Sequence, residues 1–190
     1  MNVTEHTQEK VTFGFWVYLM SDCVLFAGLF ATYAVLSSAT YGGPSTGDII
    51  NLQFVLLETF ALLTSTFTIG LARVAAQRGK VNLTFTFLAL TLALGFVFLG
   101  MEVTEFSRLI AEGSGPQRSA FLSSFFALVG THGLHVFFGS LWMAVLMAHL
   151  WLKGLKESTL RKLTILSLFW HFLDVIWIFI FTIVYMMGIL

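Results

Sequence analysis

The chain has 190 residues, of which 57% are hydrophobic and 11% charged, with a mean hydropathy of +0.88; soluble domains carry about a quarter charged residues. This balance excludes a soluble globular domain and points to an integral membrane protein. Ten basic and ten acidic residues cancel to zero formal charge, so there is no basic surface for nucleic acid, and a single cysteine, Cys23, leaves no internal disulfide or thiolate cluster.

The opening stretch MNVTEHTQEKVT is polar and has no basic segment, apolar core or small-residue cleavage site, so residues 1–12 read as a short polar tail rather than a signal peptide. Five apolar runs follow, each long enough to cross about 30 Å of hydrocarbon, for which about 20 helical residues suffice. They predict helices near 14–36, 54–74, 83–106, 121–152 and 163–190 in one domain spanning 13–190. The expected fold class is all-α, a bundle of five transmembrane helices. The fourth run exceeds what a bilayer needs and should tilt or protrude. Breakers fall between the runs, in SSATYGGPSTGD, AAQRGK, EGSGPQRS and KGLKESTLRK, none of which has room for a soluble domain.

Charge sets the expected orientation. Lys10, Arg73, Arg78, Lys80, Lys153, Lys156, Arg161 and Lys162 fall on one side and only Arg108 and Arg118 on the other, which predicts a cytoplasmic N-terminus and a periplasmic C-terminus. Trp16 and Trp151 then sit near the cytoplasmic interface. No internal repeat is evident, which argues against an inverted-repeat transporter.

Ionisable groups inside the runs are Asp22, Glu58, Glu102, Glu105, His132, His135, His171 and Asp174. Each costs a few kcal/mol or more in hydrocarbon and should face the bundle interior with a partner. Counting depth at 1.5 Å per residue from the cytoplasmic ends places Asp22 and His171 at roughly 12–14 Å, with Asp174 a turn further out. Glu58, His135, Glu102 and His132 fall at roughly 24–30 Å. Asp22 is therefore expected to pair with His171, and Glu102 or Glu105 with His132 or His135. These carboxylates suit either structural hydrogen bonding or proton movement.

His132 and His135, three apart in GTHGLHVFFGS, share a helix face and could serve a metal or a haem, or bond to neighbouring helices beside Gly130, Gly133 and Gly139. The depth count sets His171 about 12–17 Å from either, which disfavours a haem held between two helices. The Thr and Ser cluster TFALLTSTFT reads as hydrogen bonding to backbone or neighbouring helices. Soluble-enzyme signatures such as H-E-x-x-H and G-x-S-x-G are missing, and RGKVN lacks the glycine and Ser/Thr of a phosphate loop.

Four segments in order carry a family resemblance: FWVYLMSDCVLFAGLFATYAVL in the first helix, GMEVTEF in the third, SSFFALVGTHGLHVFFGS in the fourth and LFWHFLDVIWIFIFTIVYMMG in the fifth. The chain resembles subunit III of the haem-copper respiratory oxidases from Phe13 onward. The five-helix length and the SDC and GGPSTGDI segments are most similar to the short subunit III of bacterial cytochrome bo-type ubiquinol oxidases; the cytochrome c branch usually has seven helices. Asp22 stands where that branch typically carries a carbodiimide-reactive glutamate, a carboxylate one methylene longer. Glu102 and Glu105 match the family's acidic pair, His132 and His135 its histidines, and Trp170, His171 and Asp174 its last-helix motif.

The resemblance implies a non-catalytic subunit of a proton-pumping quinol oxidase in the bacterial inner membrane. It implies no haem and no copper in this chain, both being in the catalytic subunit I. It further implies contacts with subunit I and the other oxidase subunits, bound phospholipid in a cleft, and support of proton uptake. Asp22, Glu58, Glu102, Glu105, His132, His135, Trp170, His171 and Asp174 are the candidates for buried polar pairing or cleft geometry. Two other classes remain open, a haem b membrane anchor of a dehydrogenase and a small proton or ion transporter. Both predict activity from this polypeptide alone.

Overall fold

The computed structural model describes residues 3–43 and 51–189. The GGPSTGDI segment from Pro44 onward therefore lies outside the described residues. Every regular element among those residues is helical: α1 (Val3–Leu36), α2 (Leu52–Gln77), α3 (Val81–Ala111), α4 (Ala120–Lys153) and α5 (Glu157–Ile180). The last helix continues through a π-helical segment (Phe181–Met186) into α6 (Met187–Ile189). Five spans are long and apolar enough to cross a membrane.

The helices reach beyond the apolar runs. α1 extends back to Val3, α3 on to Ala111, and α5 begins at Glu157 rather than near Leu163. Glu, Gln, Lys and Arg are good helix formers, so a hydropathy window sees only the part of each helix that lies in hydrocarbon. Local chemistry sets the ends. Asn51 caps α2 by accepting from the Phe54 N–H, and Ser119 caps α4 by accepting from the Leu122 N–H, each satisfying an otherwise orphan donor. α2 and α4 terminate at Gly79 and Gly154, both in the left-handed region at φ +71° and +69°.

α2, α3, α4 and α5 pack in a closed ring, α2 on α3, α3 on α4, α4 on α5 and α5 back on α2. α1 lies outside the ring, against α4 and to a lesser extent α5. Trp170 of α5 fills the ring's centre and is 1% exposed. It fits because small residues face it: a Cβ on Gly95 of α3 would come 3.0 Å from its ring, and one on Gly139 of α4 3.2 Å from it. Close approach at small residues is how membrane helices gain packing where the hydrophobic effect between them is weak. The outer surface is apolar, with Val24 74%, Phe67 67% and Val103 62% exposed; their solvent is hydrocarbon.

Candidate functional site: a buried polar core

Inside an apolar bundle each polar side chain needs a partner, because none can turn to water. Two tryptophans of α5 supply the first links to α2. Trp170 Nε1–H donates to Ser65 Oγ at 2.9 Å, and Trp177 Nε1–H donates to Thr59 Oγ1 at 3.1 Å. Seven residues apart, they occupy one helix face. Thr68 and Thr91 join α2 to α3 through their hydroxyls at 2.8 Å.

A second group lies next to the Trp177–Thr59 link. Glu58 of α2 is fully buried and interacts electrostatically with Glu105 and Glu102 of α3. Neither Glu58 oxygen has a hydrogen-bond partner among the described residues. Glu105 accepts from the Tyr185 hydroxyl at 3.2 Å, Tyr185 lying in the π segment. Glu102 packs on α4 where Gly133 leaves room: a Cβ at Gly133 would collide with both carboxylate oxygens. Its Oε2 has no hydrogen-bond partner among the described residues.

His132 does not pair with either carboxylate. It is fully buried with Phe98 and Trp177 at ring-centroid distances of 5.8 and 5.3 Å, and neither ring nitrogen has a hydrogen-bond partner among the described residues. His135, one turn away, turns its Nδ1 to the Thr131 carbonyl at 2.7 Å and its Nε2 to Asp22 Oδ2 at 3.7 Å. A carbonyl only accepts, so Nδ1 carries the proton of the neutral ring.

The expected partnership of Asp22 with His171 is thus corrected: Asp22 meets His135. His171 is exposed and hydrogen-bonds the Ser167 carbonyl through Nδ1 at 2.6 Å. The depth count failed because it started the first helix near Gly14, whereas α1 begins at Val3. Counted from the observed helix ends at 1.5 Å per residue, Asp22 lies about 28 Å along α1 and His135 about 27 Å from the Lys153 end of α4. The two therefore share a level, and α1 packs mainly on α4. The pairing of Glu102 or Glu105 with a histidine is likewise replaced by Gly133 contact and Tyr185. Asp174 has Thr66 and His171 as polar neighbours.

Ser65, Thr59, Tyr185 and Gly133 escaped the sequence reading as individual partners. Their signal was weak but present: TFALLTSTFT offers hydroxyls on α2, and the seven-residue Trp spacing marks the face that needs them.

Among the described residues no three His, Cys, Asp or Glu side chains converge as a metal site would require. Of the described histidines in the bundle, His132 is walled by aromatic rings, His135 turns its Nε2 to Asp22, and His171 is exposed. The arrangement can tie helices together and, at Asp22 and His135, face a carboxyl oxygen with an imidazole nitrogen.

The family model for cytochrome c oxidase subunit III matches residues 2–189. The chain is 58% identical over 181 residues to cytochrome bo(3) ubiquinol oxidase subunit 3 of Pseudomonas aeruginosa, covering 95% of this chain and 87% of the relative. The protein of the same name from Pseudomonas putida is 53% identical, with coverage of 96% and 88%. A probable quinol oxidase subunit 3 from Staphylococcus epidermidis is 44% identical, with coverage of 96% and 92%.

Proposed function

The chain belongs to the cytochrome c oxidase subunit III family, and on that premise we propose that it is the non-catalytic subunit III of a bacterial quinol oxidase that reduces oxygen to water and pumps protons. The identity of 58% across 95% of the chain to a ubiquinol oxidase subunit 3 is the observation that carries this reading. The haem and copper belong to a catalytic partner, subunit I. The chain lies in the inner membrane as one domain, residues 13–190, with its N-terminus cytoplasmic and C-terminus periplasmic, as the excess of Lys and Arg on one side supports.

Three contributions follow for the complex. The ring of α2 to α5 presents a large apolar outer face that stabilises subunit I by contact within the bilayer. A groove of about 360 Å³ between α1 and α5 has Arg161 and Lys162 at its rim and Phe15, Ile165 and Leu168 along its wall. Cations beside apolar wall suit a phospholipid, phosphate to the rim and acyl chain to the wall. Asp22 and His135 support proton uptake: with Nδ1–H committed to Thr131, the Nε2 lone pair faces Asp22 Oδ2 at 3.7 Å, so a proton taken up at Nε2 is stabilised by the nearby carboxylate.

Quinol oxidation by membranes with and without the chain tests the reading. The complex lacking it is expected to slow within minutes of turnover while keeping its haem spectrum. Equal initial rate, equal lifetime and equal proton pumping without the chain would overturn it.

A further inference from the structure

On the outer side of the ring a groove of about 540 Å³ runs between α3 and α4. Its size is that of a small-molecule site, about 300–1,000 Å³. Leu99, Phe106, Phe126 and Phe137 form its walls, and Gly130 and Gly133 keep its floor low. It lies within two membrane-spanning helices and is flanked by outward-facing Val103 and Leu134, 62% and 58% exposed. Any occupant therefore enters sideways, from the hydrocarbon.

One ionisable side chain lines this groove, Glu102, 4% exposed and with Oε2 lacking a partner among the described residues. The lining has no Lys, Arg or His. That chemistry disfavours a phospholipid headgroup, whose phosphate would meet a carboxyl and no cation. It favours a neutral molecule with a hydroxyl donor and an apolar body, because a carboxyl offers an accepting oxygen whether or not it holds a proton. Flat aromatic walls suit a ring: Phe106 and Phe126 lie with centroids 4.6 Å apart at 44°.

We infer that the groove between α3 and α4 binds a lipid-soluble quinol, its hydroxyl donating to Glu102 and its tail lying along the phenylalanines. The site is a place of binding, not of oxidation, and holds substrate beside the complex. The identity of the occupant as quinol rests on the quinol oxidase reading; the preference for a neutral hydroxyl donor rests on the groove alone.

A short-chain ubiquinol with a diazirine on its alkyl tail, photolysed with the purified complex and mapped by peptide mass spectrometry, tests this. Label is expected on α3 and α4 around Glu102, displaced by unlabelled ubiquinol and not by phosphatidylethanolamine or phosphatidylglycerol. Glu102→Leu and Gly130→Leu should each lower it at least tenfold. Gly130→Leu fills the groove from the Phe106 side: its Cβ starts 3.5 Å from that ring and has no Glu102 atom within 4 Å. The competition step needs no variant to fold. Label elsewhere only, displacement by phospholipid alone, persistence in both variants, or exclusion by a partner helix over the groove would each overturn the inference. Haem content of the same sample reports separately on the quinol oxidase reading, and labelling is scored on the chain whether or not a haem subunit accompanies it.

Discussion

At Gly133 the α4 backbone lies against the Glu102 carboxyl, and the next glycine toward the N-terminus, Gly130, has only ordinary contacts with Phe106 at its Cβ position. The two glycines sit three apart on one helix and look alike in sequence, yet they answer differently to a methyl group. Gly133→Ala should destabilise the chain by about 1–3 kcal/mol, the usual cost of overpacking, whereas Gly130→Ala should be close to neutral. Adding Glu102→Ala to Gly133→Ala should restore much of the loss, since coupled neighbours are not additive. Thermal unfolding in detergent of Gly133→Ala, Gly130→Ala, Glu102→Ala and the Glu102→Ala/Gly133→Ala double variant measures this. Burial of Asp22, Glu58, Glu102, Glu105, His132 and Asp174 follows the expectation that ionisable groups in apolar runs face inward, whereas His171 is exposed. The partners of the buried groups were not legible in the sequence, because partnership depends on rotation about the helix axis and on the contact of a side chain with a missing Cβ.

Among the elements, α1 and α4 decide most, α1 through its length and α4 through its neighbours. All five helices were legible as apolar runs, since about 20 apolar residues have few other uses. Their ends were not, because Lys, Glu and Arg continue a helix outside hydrocarbon as readily as they end a hydropathy window. That hidden length, at the start of α1, displaced the expected partner of Asp22 from His135 to His171. A double-mutant cycle distinguishes the two. Asp22→Leu is expected to cost at least 1 kcal/mol more with His135 present than in a His135→Leu background, and the same with or without His171→Leu. Unfolding of the purified complex supplies the energies. Indifference to His135 would detach Asp22 from it.

For the whole molecule, the proposed orientation has a direct readout. Cys23 is the chain's one cysteine and is exposed, so Cys23→Ser provides a thiol-free background. Ser158, at the start of α5, and Gln117, in the connection between α3 and α4, are both exposed and lie at opposite ends of the bundle. A thiol at Gln117 should react with a membrane-impermeant maleimide in intact spheroplasts, and one at Ser158 only after lysis. The reverse pattern would invert the topology.

The most direct measurement is gentle-detergent capture of the chain from its native membrane, with mass spectrometry of its companions and an absorbance spectrum before and after it is stripped from them. A haem- and copper-bearing oxidase subunit is expected in equal amount, with the haem absorbance remaining entirely with that partner. A chain that elutes alone, or that keeps haem after its partners are removed, would contradict the account.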